Sequence, residues 1–293
     1  MDTLITAVTD GQKKQVKRFA EDAVDRAIAD DLLNKDSIQK LIENGNEFQT
    51  RIIAEIKELS TAGQFADEEV ASSYGYSSGY KLKRITEQVE ILRQFFPNIG
   101  FADEKLAERP FPANAEGWFA IPRWQSVAKT YNEAVEMVFD LLKEQRRGDF
   151  YNCHKDKVGV GEQYLRQSEN TAKKLQILGD RQKDSDTLIV AAQFGGLHKG
   201  KSARRARETF MSNEFGLGVF QIGCMILTHP KRLHGFSDLC INCIGDEYSL
   251  NGDGDFSTFL RTPYFTFGYG IRFGEGWGSS ANSCYGSASA FLL

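Results

Sequence analysis

The chain has 293 residues, 41% of them hydrophobic and 26% charged, with a net charge of -4. That length supports a buried core in one or two domains, and that balance excludes a disordered or fibrous chain and any overall attraction to nucleic acid or an anionic membrane. The five cysteines are an odd number, scattered in a chain that opens without an apolar leader, which predicts free thiols in a reducing compartment and a cytoplasmic protein.

In chain order, Val16, Phe19, Ala20, Ala23, Val24, Ala27 and Ile28 recur at the spacing of one helix face, with charged residues between them. Asn34 to Ser37 supplies turn and capping chemistry. A second helix begins with Ile38, Leu41 and Ile42 and resumes with Phe48, Ile52, Ile53, Ile56 and Leu59. The cluster Asn44-Gly45-Asn46 is where it breaks or kinks. ASSYGYSSGYK, residues 71–81, reads as loop. A third helix carries Leu82, Ile85, Val89, Leu92 and Phe96 and ends at Pro97. The loop-like run of residues 100–115, with Pro110 and Pro112, divides an amphipathic helical region, 1–101, from a mixed α/β domain, 102–293. The helices predict either an intramolecular bundle or an arm for oligomerisation. Their repeat is too short for a long coiled coil.

EGWFAIPRW sets two tryptophans and a phenylalanine around Pro122, as aromatic cover for a core. Thr130 and Glu133 have the spacing of a capping box, and Tyr131, Ala134, Val135, Val138, Phe139 and Leu142 line the helix behind them. Arg146, Arg147 and Gly148 suit its C-terminus. A further helix, residues 162–178, ends at Gly179.

The stretch TLIVAAQFGGLHKGKSARRARETF contains GGLHKGKS, which satisfies the phosphate-cradling pattern GxxxxGK(S/T). TLIVAAQF predicts the buried strand that such a turn needs, and SARRARETF the helix. On this pattern Gly195 and Gly200 open the backbone, Lys201 reaches the β- and γ-phosphates, and Ser202 ligates magnesium, with Asp246 of LCINCIGDE as the acidic partner. Three observations weigh against the match. A glycine-rich chain meets the pattern by chance. Arg204, Arg205 and Arg207 crowd the first turns of the helix, where the dipole disfavours cations. The remaining residues also lack the strand–helix alternation that a P-loop usually starts.

EFGLGVFQIGCMILTHP reads as a buried helix ended by Pro230, too short to span a bilayer. Leu239 to Ile244 predicts a strand. SLNGDGDFS resembles a calcium loop only in Asn251, Asp253 and Asp255, since Phe256 and Thr262 stand where that loop needs glycine and glutamate. In YFTFGYGIRF, Phe265, Phe267, Tyr269, Ile271 and Phe273 alternate along one face, as one strand or a hairpin folded at its glycines. The last residues, 290–293, are expected to dock on the body, with the serine–glycine run before them as loop. Cys240 and Cys243 form a lone CxxC whose members point to opposite faces of a strand, and Cys153 beside His154 makes no dyad by adjacency; no metal site is read from them.

KDSIQKLIENGNEFQ, EGWFAIPRW, NEFGLGVFQIGCMILTHPKRL and YGSASAFL together resemble a recurring type of uncharacterised bacterial protein, over most of the chain. The resemblance implies a bacterial origin and attaches no activity or catalytic residue. The fold class read from the sequence is α+β, an N-terminal helical region followed by a mixed α/β domain with a mainly C-terminal sheet. The leading functional expectation is a non-catalytic interaction or assembly protein that binds a protein partner or a second copy through its N-terminal helices, without cofactor, membrane or nucleic acid. The alternative is a phosphate- or nucleotide-binding enzyme that uses Gly195, Gly200, Lys201, Ser202 and Asp246 with ATP or GTP and magnesium. Nucleic-acid binding through Arg204, Arg205 and Arg207 ranks last.

Overall fold

The computed structural model describes residues 9–61, 63–153, 160–252 and 260–292. The chain divides into two compact units, residues 1–61 and 62–293. The division falls well before Phe101. The reason is the third helix, α4 (Ile85–Phe95), which buries Ile85, Val89 and Leu92 in the core of the second unit. Its buried Gln88 donates to the Trp118 carbonyl and accepts from the Ala120 amide, both at 3.0 Å, and so closes the outer edge of the strand β1 (Gly117–Pro122).

The first unit holds α1 (Asp10–Ala29), α2 (Lys35–Glu43) and α3 (Gly45–Thr61). Capping boxes start α1 at Thr9, with Gln12, and α2 at Asn34, with Ser37. The break between α2 and α3 falls at Asn44, in the asparagine–glycine cluster. No residue of α1 or α2 is buried.

The second unit packs helices on two sheets, in agreement with an α+β class. The capping box at Thr130 and Glu133 starts α5 (Tyr131–Gln145), whose six apolar face residues are all buried. The strands β2 (Phe150–Asn152) and β3 (Leu165–Gln167) follow, then α6 (Glu169–Arg181), capped by Ser168. Gly179 therefore lies inside α6 and not beyond its end. The Arg123 guanidinium occupies the space that a side chain there would take and donates to the Gly179 carbonyl at 2.6 Å.

Every residue of β4 (Thr187–Gln193) is buried. After α7 (Ala203–Glu208), the run read as one buried helix splits into β5 (Glu214–Gly216) and α8 (Val219–Thr228), because Glu214 to Gly216 pair with the last strand, β11 (Ser289–Phe291). All ten residues of α8 are buried, and Gly223 admits Val138 of α5 at a distance that a side chain would forbid. The first sheet runs β1-β4-β11-β5, antiparallel throughout.

YFTFGYGIRF forms a hairpin. β8 (Arg261–Phe267) turns at Gly268 to Gly270 into β9 (Ile271–Trp277), with Phe265 opposite Phe273. The second sheet runs β10-β6-β8-β7-β3, where β6 is Cys240–Asn242, β7 is Asp246–Tyr248 and β10 is Tyr285–Ser287, and β9 carries β2 on its far side. The serine–glycine run expected as loop thus supplies β10. Its small residues allow a backbone contact that bulkier ones would block, since a side chain at Gly286 would strike Gly195. Asp253 and Asp255 of the calcium-like run, and His154, lie outside the described residues.

Candidate functional site

The strand–turn–helix context read around GGLHKGKS is present. β4 delivers the chain to Gly195, at φ 118°, then a single 3-10 turn spans Gly196–His198, and Gly200 sits at φ 79°. These are left-handed conformations that glycine adopts without strain. Ser202 caps α7, its hydroxyl accepting from the Arg205 amide at 3.0 Å.

What the turn lacks is room for a phosphate. A cradle needs free amides that converge on one point. Here the amide of Gly195 donates to the Gln193 side chain, that of Gly196 to the Tyr76 hydroxyl at 3.0 Å, and that of Gly200 to the Tyr285 carbonyl at 2.9 Å. The Ser202 amide donates to the Glu68 carbonyl at 3.0 Å. A strap of residues 68–72 lies across the turn, with the Val70 amide on the Gly200 carbonyl at 2.9 Å and the Val70 carbonyl where a Gly200 side chain would be. The Glu68 carboxylate accepts from the Ser202 hydroxyl at 2.6 Å and pairs with Arg204, so an internal anion holds the place a ligand's would take. Lys201 points its ammonium at the Thr209 hydroxyl, 3.1 Å away.

Asp246 is engaged elsewhere. It is fully buried at the start of α8, where it accepts from the Tyr131 hydroxyl at 2.6 Å and the Val219 amide at 2.7 Å. Burial pushes its carboxyl up to about 7, against the pull of those two hydrogen bonds. Ser202 and Asp246 share no partner. The arrangement of Gly195, Gly200, Lys201, Ser202 and Asp246 does not fit ATP or GTP with magnesium, because each group that would bind them is already bonded within the fold. The three arginines are likewise tied down: Arg204 to Glu68, Arg205 to Glu69 and Glu208, and Arg207 to the Ile244 carbonyl.

Two polar clusters beside the turn, one buried and one part-buried, escape motif reading. In one, the His198 ring nitrogen Nε2 meets Glu214 at 2.6 Å, the Ser289 hydroxyl donates to the same carboxylate oxygen, and Gln193 donates to Ser289 at 2.8 Å. The serine bonds the acid and not the imidazole, and all three side chains are shut from solvent, so the set ties β11 to the turn and has no nucleophile to offer. In the other, Glu116 accepts from the Tyr76 hydroxyl and from the Phe194 amide at 3.1 Å, while Arg232 stacks 3.9 Å over the Tyr76 ring. Burial raises the pKa of Glu116. Tyr76 sits in ASSYGYSSGYK, and the one local sign of this role was three tyrosines in an otherwise small-residue run.

The five cysteines are free, Cys240 meeting the Thr266 hydroxyl and Cys243 the Ile241 carbonyl. Among the described residues, no three histidine, cysteine, aspartate or glutamate side chains gather as a metal site, and no helix is long and apolar enough to cross a membrane. No family model, curated protein or solved structure matches the chain.

Proposed function

We propose that this chain is an assembly protein, and that α1 pairs antiparallel with α1 of a second copy. The observation that carries the reading is the uncovered apolar stripe of α1. Val16 is 53%, Phe19 60%, Val24 44% and Ile28 44% exposed. Single exposed apolar residues are ordinary, but four large ones on one half of a 20-residue helix, with Ala20, Ala23 and Ala27 between them, are a surface that gains from being covered.

The charges choose the occupant. Lys13, Lys14, Lys17 and Arg18 outweigh Asp10 in the first half of the helix, and Glu21, Asp22 and Asp25 outweigh Arg26 in the second, followed by Asp30 and Asp31. Two copies laid antiparallel bring basic halves against acidic ones, whereas parallel copies set like against like. The only ion pairs that α1 makes within itself, Lys13 with Asp10 and Arg18 with Asp22, are exposed and long, at 3.6 and 3.8 Å, and cost little to exchange.

Sedimentation equilibrium of the full chain tests the reading. The unmodified chain should give twice the protomer mass, and Phe19→Asp should give the protomer. Lys17→Glu with Arg18→Glu should weaken the pair, and adding Glu21→Lys with Asp22→Lys should restore it. A monomer at high micromolar concentration, or a dimer indifferent to Phe19→Asp, would overturn the reading.

A further inference from the structure

The second sheet has two unlike faces. Ile241, Phe265, Ile271 and Phe273 lie in the core, where Phe265 and Phe273 meet Phe139 of α5. The alternate positions Asn242, Thr262 and Tyr264 form the other face, Tyr264 in register with Asn242 and with Gly274, and Thr262 with Gly276. A polar face left to solvent would be exposed, yet Asn242 is 7% and Thr262 4% exposed. The start of α7 at Ala203 and the segment that carries Ser280, Asn282 and Tyr285 wall this face in and leave a cleft of about 260 Å³.

Asn242 and Thr262 line that cleft, both more than nine-tenths buried, and neither side chain has a hydrogen-bond partner among the described residues. Buried polar groups are ordinarily paired, so an unpaired amide and hydroxyl on one cleft wall call for a ligand or water with matching groups. Beside them stand the phenols of Tyr264 and Tyr285, ring centroids 5.0 Å apart. Glu275 and Trp277 also border the cleft, but they alternate with Gly274 and Gly276 and share the face of Phe273, where Arg261 pairs with Glu275 and stacks 4.3 Å from the Trp277 ring.

We infer that the cleft binds a small neutral polyhydroxyl ring of the monosaccharide kind. The amide of Asn242, the hydroxyl of Thr262 and the mutually bonded phenols of Tyr264 and Tyr285 each can both donate and accept, as ring hydroxyls do. Arg261 cancels the charge of Glu275, so the described lining residues carry no net charge to favour an anion or a cation. The aromatic rings offer apolar surface to the C–H face of such a ring. The volume lies just below the range of about 300–1,000 Å³ typical of drug-sized ligands, which limits the occupant to about one ring.

Glycine at 276 supplies the test. A Cβ there would meet only the Tyr264 ring, at an ordinary contact distance of 3.8 Å, so Gly276→Val projects its methyls into the cleft from a strand that favours β-branched residues. The full chain is titrated with glucose, galactose, mannose and inositol by saturation-transfer NMR and calorimetry. At least one should bind saturably in the millimolar range, and Gly276→Val and Thr262→Val should each weaken it tenfold or more. Melting temperatures should show both variants folded. Glucose 6-phosphate should bind less well than glucose. No saturable binding by any of the four, binding that survives both substitutions, or a preference for the phosphate would overturn the inference. It concerns the second unit alone, so its failure leaves the pairing of α1 untouched.

Discussion

Asp246→Asn isolates one buried charge and puts a number on it. Oδ2 of Asp246 holds the Tyr131 hydroxyl and the Val219 amide, while Oδ1 has no partner and faces Gly218. Burial raises this carboxyl from 3.8 to about 7. Below pH 4 the folded and unfolded chains both carry the proton. Between about pH 4 and 7 the folded chain keeps a proton that the unfolded chain releases, so the contribution of Asp246 to stability declines as pH rises through that window. At about 1.4 kcal/mol per pH unit, the loss is complete near pH 8 and amounts to about 4 kcal/mol. Asparagine keeps the shape and an acceptor for Val219 but does not titrate. The stability of the variant relative to the unmodified chain should therefore rise by about 4 kcal/mol from pH 4 to pH 8, and any fixed cost of the extra amide shifts both ends alike. His229 works the other way. Burial lowers its imidazole from 6.5 to about 4, so its contribution is present above pH 6.5 and is lost as pH falls toward 4. In the unmodified chain the two slopes oppose each other between about pH 4 and 6.5, and the variant should show the acid loss of His229 unmasked. Urea unfolding followed by tryptophan fluorescence across pH 4 to 8 measures both. Parallel curves for the two proteins would refute the reasoning, because they would mean that Asp246 titrates alike folded and unfolded.

Gly200→Ala should cost about 3 kcal/mol or more, since it strains a residue at φ 79° and drives a methyl into the Val70 carbonyl 2.1 Å away; the urea midpoint reports it. Ser202→Ala removes the α7 cap and a partner of Glu68 and should cost about 1–2 kcal/mol by the same assay. Calorimetric titration with ATP or GTP and magnesium should give no saturable heat, because the amides of the turn are already bonded. Saturable binding that Lys201→Ala abolishes would show that the strap over the turn can be displaced.

Local chemistry made much of the fold legible. The Thr130–Glu133 box, the apolar run of β4 and the stop at Pro97 each act within a few residues, and each lies where the sequence placed it. The errors share a different cause. The run of residues 214–230 looked like one helix because its apolar character is continuous, and what converts its start to β5 is pairing with Ser289 to Phe291, far along the chain. ASSYGYSSGYK read as loop, correctly for its backbone, but nothing nearby announces that Tyr76 will donate to Glu116 and receive the Gly196 amide.

The GGLHKGKS match shows the limit most clearly. Its pattern specifies backbone freedom at Gly195 and Gly200 and a capped helix after Ser202, and the structure contains all of these. A phosphate site needs one thing more, vacancy, and vacancy is a property of what lies opposite. Glu68 reaches Ser202 from 134 residues away in sequence and brings with it both a carboxylate and a backbone carbonyl. A helix start that favours anions is satisfied equally by a ligand and by a glutamate of the same chain. The sequence pattern alone cannot distinguish the two. The contrast with the cleft over β8 and β9 follows the same logic in reverse: Asn242 and Thr262 belong to no motif, yet they are buried polar groups whose partner the described residues do not supply.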